Sequence, residues 1–225
     1  MKVNFSKYQG TGNDFILINN IEGLYSDLNL SQIRFLCDRK FGIGSDGVII
    51  IKGNANHDFY MDFYNPDGSK SFCGNGARCA VKFAGDLGLL ANENLSFEAI
   101  DGIHEALLCG DDVKLQMSYR LMPEYVLSMS EDISPSQEAF FMDTGSPHFA
   151  VYVDELSDLT TSNVLSFGKR IRNSSKYFEH GINVNLMYVH GPDTLSIATY
   201  ERGVEHETLS CGTGATACAL IHAHY

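Results

Sequence analysis

The segment Cys73-Gly-Asn-Gly-Ala77 returns 138 residues later as Cys211-Gly-Thr-Gly-Ala215, and this echo decides how the chain is read. Each copy sets a thiol before Gly-x-Gly and runs into an alanine-rich stretch with a further cysteine, Cys79 or Cys218. The pattern is that of a helix start. A helix N-terminus carries N–H groups without intrahelical acceptors and the positive end of the dipole. A cysteine there is favoured as thiolate, and the glycines let a carboxylate approach bare backbone. Two such sites predict two thiols facing one anionic substrate.

The surroundings of the two segments also match. A strand is expected before each, over Phe59–Tyr64 and over 195–200. Further upstream, Gly12-Asn13-Asp14-Phe15 leads into the apolar run 16–18, and Gly145-Ser146-Pro147-His148-Phe149 leads into 150–153. We read two copies of one unit: an N-terminal half, 1–118, carrying the Cys73 helix, and a C-terminal half, 119–225, carrying the Cys211 helix. The junction falls near 118–122. The first half continues past its helix through alternating stretches at 95–100, 103–108 and 113–118, whereas the second ends at Tyr225 soon after its helix. Equivalent halves would therefore leave the second without its final strands.

The elements are expected as follows. Ser31 reads as the N-cap of a helix with Ile33, Leu36 and Cys37 inside and Arg39 and Lys40 at its close. A strand follows at 48–51. Helices are expected at 74–90, 163–173 and 211–223, the last apolar all round and so buried. Strands are expected at 182–189 and 194–200. The order lacks regular βαβ alternation, which predicts a mixed α/β (α+β) fold. Its two pseudo-twofold-related halves would each wrap a barrel-like, mostly antiparallel sheet around a central helix.

Bulk properties exclude other classes. In 225 residues, 44% are hydrophobic and 20% charged, an ordinary globular composition. A net charge of −12 without basic runs argues against nucleic acid. No long apolar run or signal-peptide core is present, so neither a membrane nor an export route is expected, and the cytoplasm is. Six cysteines are too sparse for a disulfide scaffold. They form no C-x2-C pair, and no metal is expected. Gly42-Ile-Gly-Ser-Asp-Gly47 fits G-x-G-x-x-G, but it follows a helix and opens a strand, the reverse of a dinucleotide site. A tight turn explains it.

Cys37, Cys79, Cys109 and Cys218 sit among apolar neighbours and read as packing. Cys73 and Cys211 stand apart because Gly-x-Gly follows each. His148 is a candidate for tuning a thiol. Glu201-Arg202-Gly203 ends a strand shortly before Cys211; Arg202 would grip a carboxylate with its fork while Glu201 takes an ammonium. Asn65 holds the matching strand end before Cys73. Inverting a stereocentre without a cofactor requires removing a proton from one face and returning one to the other. Two thiols, one ionised and one protonated, suit that task near neutral pH. The N–H groups at Gly74–Asn75 and Gly212–Thr213 would hold the enediolate-like charge that develops.

At these residues the chain resembles the diaminopimelate epimerase family. The resemblance rests on Gly-Thr-Gly-Asn-Asp-Phe at 10–15, Asn-Pro-Asp-Gly-Ser at 65–69, Cys-Gly-Asn-Gly-Ala-Arg-Cys at 73–79, Pro-His at 147–148, Glu-Arg-Gly at 201–203 and Cys-Gly-Thr-Gly at 211–214. It implies a homodimeric isomerase that needs no pyridoxal phosphate or other cofactor. Such an enzyme converts LL- to meso-diaminopimelate for lysine and peptidoglycan-precursor synthesis. It further implies Cys73 and Cys211 as the acid/base pair, with His148 and Glu201 tuning them. Asn13, Asn65, Asn183, Glu201 and Arg202 become substrate ligands, and Gly74, Asn75, Gly212 and Thr213 the cradle of the reacting carboxylate. The chain departs from the family at Ser146, where Asn is usual, at Gly47, where some members carry Gln, and in a loop from Arg202 to Cys211 that is one residue longer. A proline or hydroxyproline racemase with two cysteines is the nearest alternative. A thiol redox or amino-acid-binding module is the alternative from another class.

Overall fold

A computed structural model describes residues 3–25, 28–117, 122–125 and 138–225. The chain divides into two compact units, Met1–Gln116 and Met117–Tyr225. Most of the junction anticipated at 118–122 lies outside the described residues.

The first unit is a seven-stranded sheet whose spatial order follows the chain: β1 (Ser6–Gly10), β2 (Asn13–Asn20), β3 (Gly47–Lys52), β4 (Phe59–Tyr64), β5 (Asn94–Ala99), β6 (Gly102–Cys109) and β7 (Asp112–Leu115). The β2/β3 and β4/β5 pairs are parallel and the others antiparallel. Helix α1 (Leu30–Cys37) lies in the β2-to-β3 crossover, and α2 (Gly74–Asp86) follows β4. The sheet curls about α2, which packs against strands from β1 to β7. Strand parity sorts the core. Phe15, Leu17, Ile49, Ile51 and Met61 face α2, while Ile16, Ile18, Val48 and Ile50 face α1. With both faces covered, β3 reads as a continuous apolar run rather than an alternating one. Each of these buried side chains contributes about 1.5–3 kcal/mol to holding the layers together.

The second unit repeats the plan with β8 (Glu124–Tyr125), β9 (Ala139–Asp143), β10 (Pro147–Tyr152), β11 (Asn183–Gly191), β12 (Thr194–Glu201) and β13 (His206–Thr208). Helix α3 (Thr161–Arg172) fills the parallel β10-to-β11 crossover, and α4 (Gly212–His224) packs on the opposite face. Phe149, Val151, Val184 and Leu186 belong to the α3 side; Ala150 and Met187 belong to the α4 side. The registers correspond between units. Phe15 pairs with Gly47 as His148 pairs with Asn183, and Val48 pairs with Tyr64 as Val184 pairs with Tyr200. Asn65 and Glu201 therefore hold the same place, one residue beyond the paired tyrosine.

Several expectations are corrected. Asn29, not Ser31, caps α1, because Gln32 completes a reciprocal capping box with it. Arg39 and Lys40 lie beyond that helix. The helix expected to reach residue 90 stops at Asp86. Gly88 adopts φ +69°, Gly88 N donates to Gly85 O, and Leu89 N donates to Ala84 O, which together form a Schellman ending. Helix α4 is not buried all round: Gly214, Ala217, Cys218 and Ile221 are inside, whereas Ala215, Ala219 and Ala223 are exposed. Its apolar composition reflects small residues, which carry little period signal. Strands β1, β9 and β13 lacked a legible pattern in the sequence.

Candidate active site

In the first unit the strand-to-helix turn makes Cys73 the N-cap of α2, in extended backbone at φ −136° and ψ 113°. Gly76 N donates to its sulfur at 3.4 Å, and the sulfur in turn lies 3.8 Å from Asn13 Oδ1. The N–H groups of Gly74 and Asn75 open the helix, where no intrahelical acceptor exists. A Cβ on Gly74 would meet nothing nearer than Leu115 Cδ2, at 3.8 Å, so this flank is open to a ligand. Asn13 sits at the start of β2, and its Nδ2 donates to Asp46 Oδ2 at 2.8 Å. Asn65 commits its Nδ2 to Ser69 and Ser71, so its carbonyl oxygen is the end suited to accept from an ammonium group. Burial raises the Cys79 thiol to about 12, which keeps it a packed thiol.

In the second unit Cys211 caps α4 in the same extended backbone, φ −126° and ψ 106°. Burial raises its thiol above the ordinary range, and the nearby Glu201 carboxylate raises it further. The Thr213 hydroxyl and the N–H groups of Gly214 and Thr213 oppose that rise. Glu201 is itself raised by burial, with Thr208 opposing. His148 is fully buried on the α4 side of β10, and burial lowers it to about 4, so the ring is neutral at physiological pH. Its Nε2 lies 2.9 Å from Thr213 Oγ1 and its Nδ1 3.2 Å from Asn185 Oδ1. Thr213 Oγ1 then reaches Cys211 Sγ at 3.4 Å. Helix α4 comes this close because residue 214 is glycine; a Cβ there would stand 3.0 Å from Asn185 and 3.2 Å from His148.

Asn183 works inside the unit. Its Nδ2 donates to Ser146 Oγ at 2.7 Å and to Pro147 O at 3.2 Å, and its Oδ1 accepts Arg202 N at 3.0 Å. It thus ties the β10 entry to the Glu201–Arg202 corner. The bond from Asn183 Nδ2 also fixes the Ser146 hydroxyl. Arg202 Nη1 donates to His180 O at 2.9 Å, which anchors the guanidinium. Gly47 leaves no room for a larger residue, since a Cβ would meet the Phe63 ring at 2.4 Å.

The first unit brings Cys73, Gly74, Asn75 and Asn13 to one helix start and holds Asn65 in the turn before it, and the second brings Cys211, Gly212, Thr213, His148, Asn183, Glu201 and Arg202 about the other. Asp46, Arg39, Ser71, Thr144 and Asn185 were not anticipated. Asn185 was findable, because Asn183-Val-Asn185 puts two amides on one strand face. Thr144, which donates to Thr213 O at 2.8 Å, carries no such signal.

The fold is shared with solved structures. The chain superposes on a Bacillus anthracis phenazine biosynthesis protein of the PhzF family with a TM-score of 0.65 at 15% identity, covering 96% of this chain and 78% of that one. It superposes on a probable proline racemase from Agrobacterium radiobacter K84 with a TM-score of 0.62 at 13% identity, covering 99% and 78%. The sequence profile described as "Diaminopimelate epimerase" matches residues 5–121 and 140–225. The chain is 44% identical to the diaminopimelate epimerase of Flavobacterium psychrophilum over 95% of its own length and 79% of that protein. It is 42% identical to that of Chlorobaculum tepidum over 94% and 80%. The chain belongs to the diaminopimelate epimerase family, a family of isomerases.

Proposed function

We propose that this protein interconverts LL- and meso-diaminopimelate by moving the α-proton between two cysteines. It would do so without a cofactor, in the supply of lysine and peptidoglycan precursors. The observation that carries the reading is the repeated helix start, with a thiol as N-cap and Gly-x-Gly behind it in each unit. Cys73 and Cys211 serve as the acid/base pair, one from each half, 1–118 and 119–225, of a duplicated chain. In one direction a thiolate removes the α-proton, and the other sulfur, protonated, returns one to the opposite face. Cys211, whose thiol is raised by burial and by Glu201, is suited to rest as the proton donor. Negative charge developing on the reacting carboxylate is met by N–H groups of Gly74, Asn75, Gly212 and Thr213.

His148 and Glu201 tune Cys211. The distal amino-acid end is held by Asn13, Asn65, Asn183, Glu201 and Arg202, with Glu201 and the Asn65 oxygen taking the ammonium and Arg202 the carboxylate. We place the enzyme in the cytoplasm as a homodimer. Incubating the protein under reducing conditions with LL-diaminopimelate, meso-diaminopimelate or L-proline, and resolving stereoisomers by chromatography, tests this. Conversion confined to diaminopimelate supports it. Racemisation of proline instead would keep the chemistry and replace the substrate. No conversion of either would leave the redox or binding reading.

A further inference from the structure

Four polar side chains at the start of α2 form a line with a charge at each end. Arg78 Nη2 donates to Asn75 Oδ1 at 2.5 Å, Asn75 Nδ2 to Asn13 Oδ1 at 3.4 Å, and Asn13 Nδ2 to Asp46 Oδ2 at 2.8 Å. A guanidinium only donates and a carboxylate only accepts. The two ends therefore fix which way both amides point, a choice that an amide otherwise leaves open. Asp46 is itself held: its Oδ1 takes Arg39 Nη2 at 2.7 Å and its Oδ2 takes Asp14 N at 3.1 Å. Arg39 also grips Asp14, which pairs with Lys7.

We propose that Asp46 is a positioning residue that sets the polarity of this amide chain, so that Asn13 presents its oxygen to the Cys73 sulfur. The proposal rests on the reading of Cys73 as an acid/base group. With the chain so set, the sulfur meets an acceptor, Asn13 Oδ1 at 3.8 Å, that favours the thiol. It also meets a donor, Gly76 N at 3.4 Å, that favours the thiolate. A group that passes between both forms in every turnover needs both partners. Without Asp46 only the long bond from Asn75 Nδ2, 3.4 Å, holds the Asn13 oxygen in place, and an Asn13 amide that turns its NH2 to the sulfur replaces an acceptor that favours thiol by a donor that favours thiolate. Charged and titratable groups on the elements packed here include Cys79 and Arg78 on the same helix, Asp46 bonded to Asn13 from the loop before β3, the Asp14–Lys7–Arg39 cluster on β1, β2 and that loop, and His104 of β6 stacked on Phe72, the residue before Cys73.

The test is alkylation of Cys73 by iodoacetamide from neutral to alkaline pH, resolved by peptide mass spectrometry. It is read in Asp46→Asn, Asn13→Leu and the double variant. Asp46→Asn is expected to move the Cys73 profile to lower pH and raise its labelling at neutral pH on the order of threefold or more. Asn13→Leu does the same by removing the acceptor. In the Asn13→Leu background Asp46→Asn adds nothing, the mark of two residues acting through one contact. A shift that persists in that background would assign the effect to the carboxylate charge alone and overturn the proposal. So would an unchanged profile in folded Asp46→Asn. Should Asp46→Asn not fold, Asp46→Ser takes its place in the same cycle, and the same outcomes support or overturn the proposal. Labelling needs no turnover, so failure of the epimerase assay in the parent protein leaves this result standing.

Discussion

His148 Nε2 lies 2.9 Å from Thr213 Oγ1, so a buried neutral imidazole is joined by one hydroxyl to a sulfur 3.4 Å beyond it. The hydroxyl can donate to only one of the two at a time. The imidazole thereby governs what Cys211 receives.

Replacing Thr213 with Val keeps the shape of the side chain and removes that link. Loss of one hydrogen bond to a group that must ionise costs about 1–1.5 kcal/mol, or roughly a tenfold fall in kcat. The Cys211 thiol moves further up, because the hydroxyl opposes its elevation. Steady-state kinetics and thermal melts check this. A fall in melting temperature large enough to explain the lost rate would assign Thr213 a packing role instead.

His148 also makes the fold sensitive to acid. Its folded pKa of about 4 lies below the ordinary value near 6.5, and burial is the cause. A histidine lowered in this way stabilises the fold above its unfolded pKa and loses that stability as pH falls toward the folded value. The difference corresponds to about 2–4 kcal/mol. Urea unfolding of the parent protein and His148→Gln, compared between pH ~7.5 and ~4.5, should show a steeper loss in the parent. Parallel losses would contradict it.

What the sequence reveals of this site follows from where each signal lies. Cys73-Gly-Asn-Gly and Cys211-Gly-Thr-Gly announce helix starts because capping chemistry is local, and the registers at His148 and Asn65 follow from the duplication. In the sequence Asp46 reads as part of a turn. Its work on Asn13 comes from β2 and β3 lying parallel side by side, which only tertiary pairing creates. Ser31 and Asn29 are both good capping residues, and Gln32, three residues after Asn29, decides between them.

Asp62 is 2% exposed and is bracketed by Lys52 at 2.8 Å, Lys70 at 2.6 Å and the Tyr64 hydroxyl at 3.0 Å. Burial pushes its carboxyl up, but the two lysines and the tyrosine outweigh this and hold it below the usual range. Lys70 also lies over the Tyr64 ring and closes the turn that carries Asn65. Asp62→Asn should destabilise by about 1–3 kcal/mol and raise KM more than it lowers kcat. Unchanged KM would separate this cluster from the Asn65 turn.

Gly168 lets α3 lie against β12. A Cβ there would stand 2.4 Å from Tyr200 Cβ, so Gly168→Ala must push the helix away from the strand that ends in Glu201 and Arg202. Overpacking of this kind costs about 1–3 kcal/mol. Denaturant unfolding measures it, and an unchanged midpoint would mean the helix shifts freely.

The central claim is that two cysteines handle the proton from opposite faces. The direct measurement is conversion of LL-diaminopimelate in D2O, with α-deuterium read by NMR in product and recovered substrate at early times. Two bases predict deuterium in the meso product and none in the remaining substrate, with conversion lost in both Cys73→Ala and Cys211→Ala. Protium retained in the product, or conversion surviving either substitution, would contradict it.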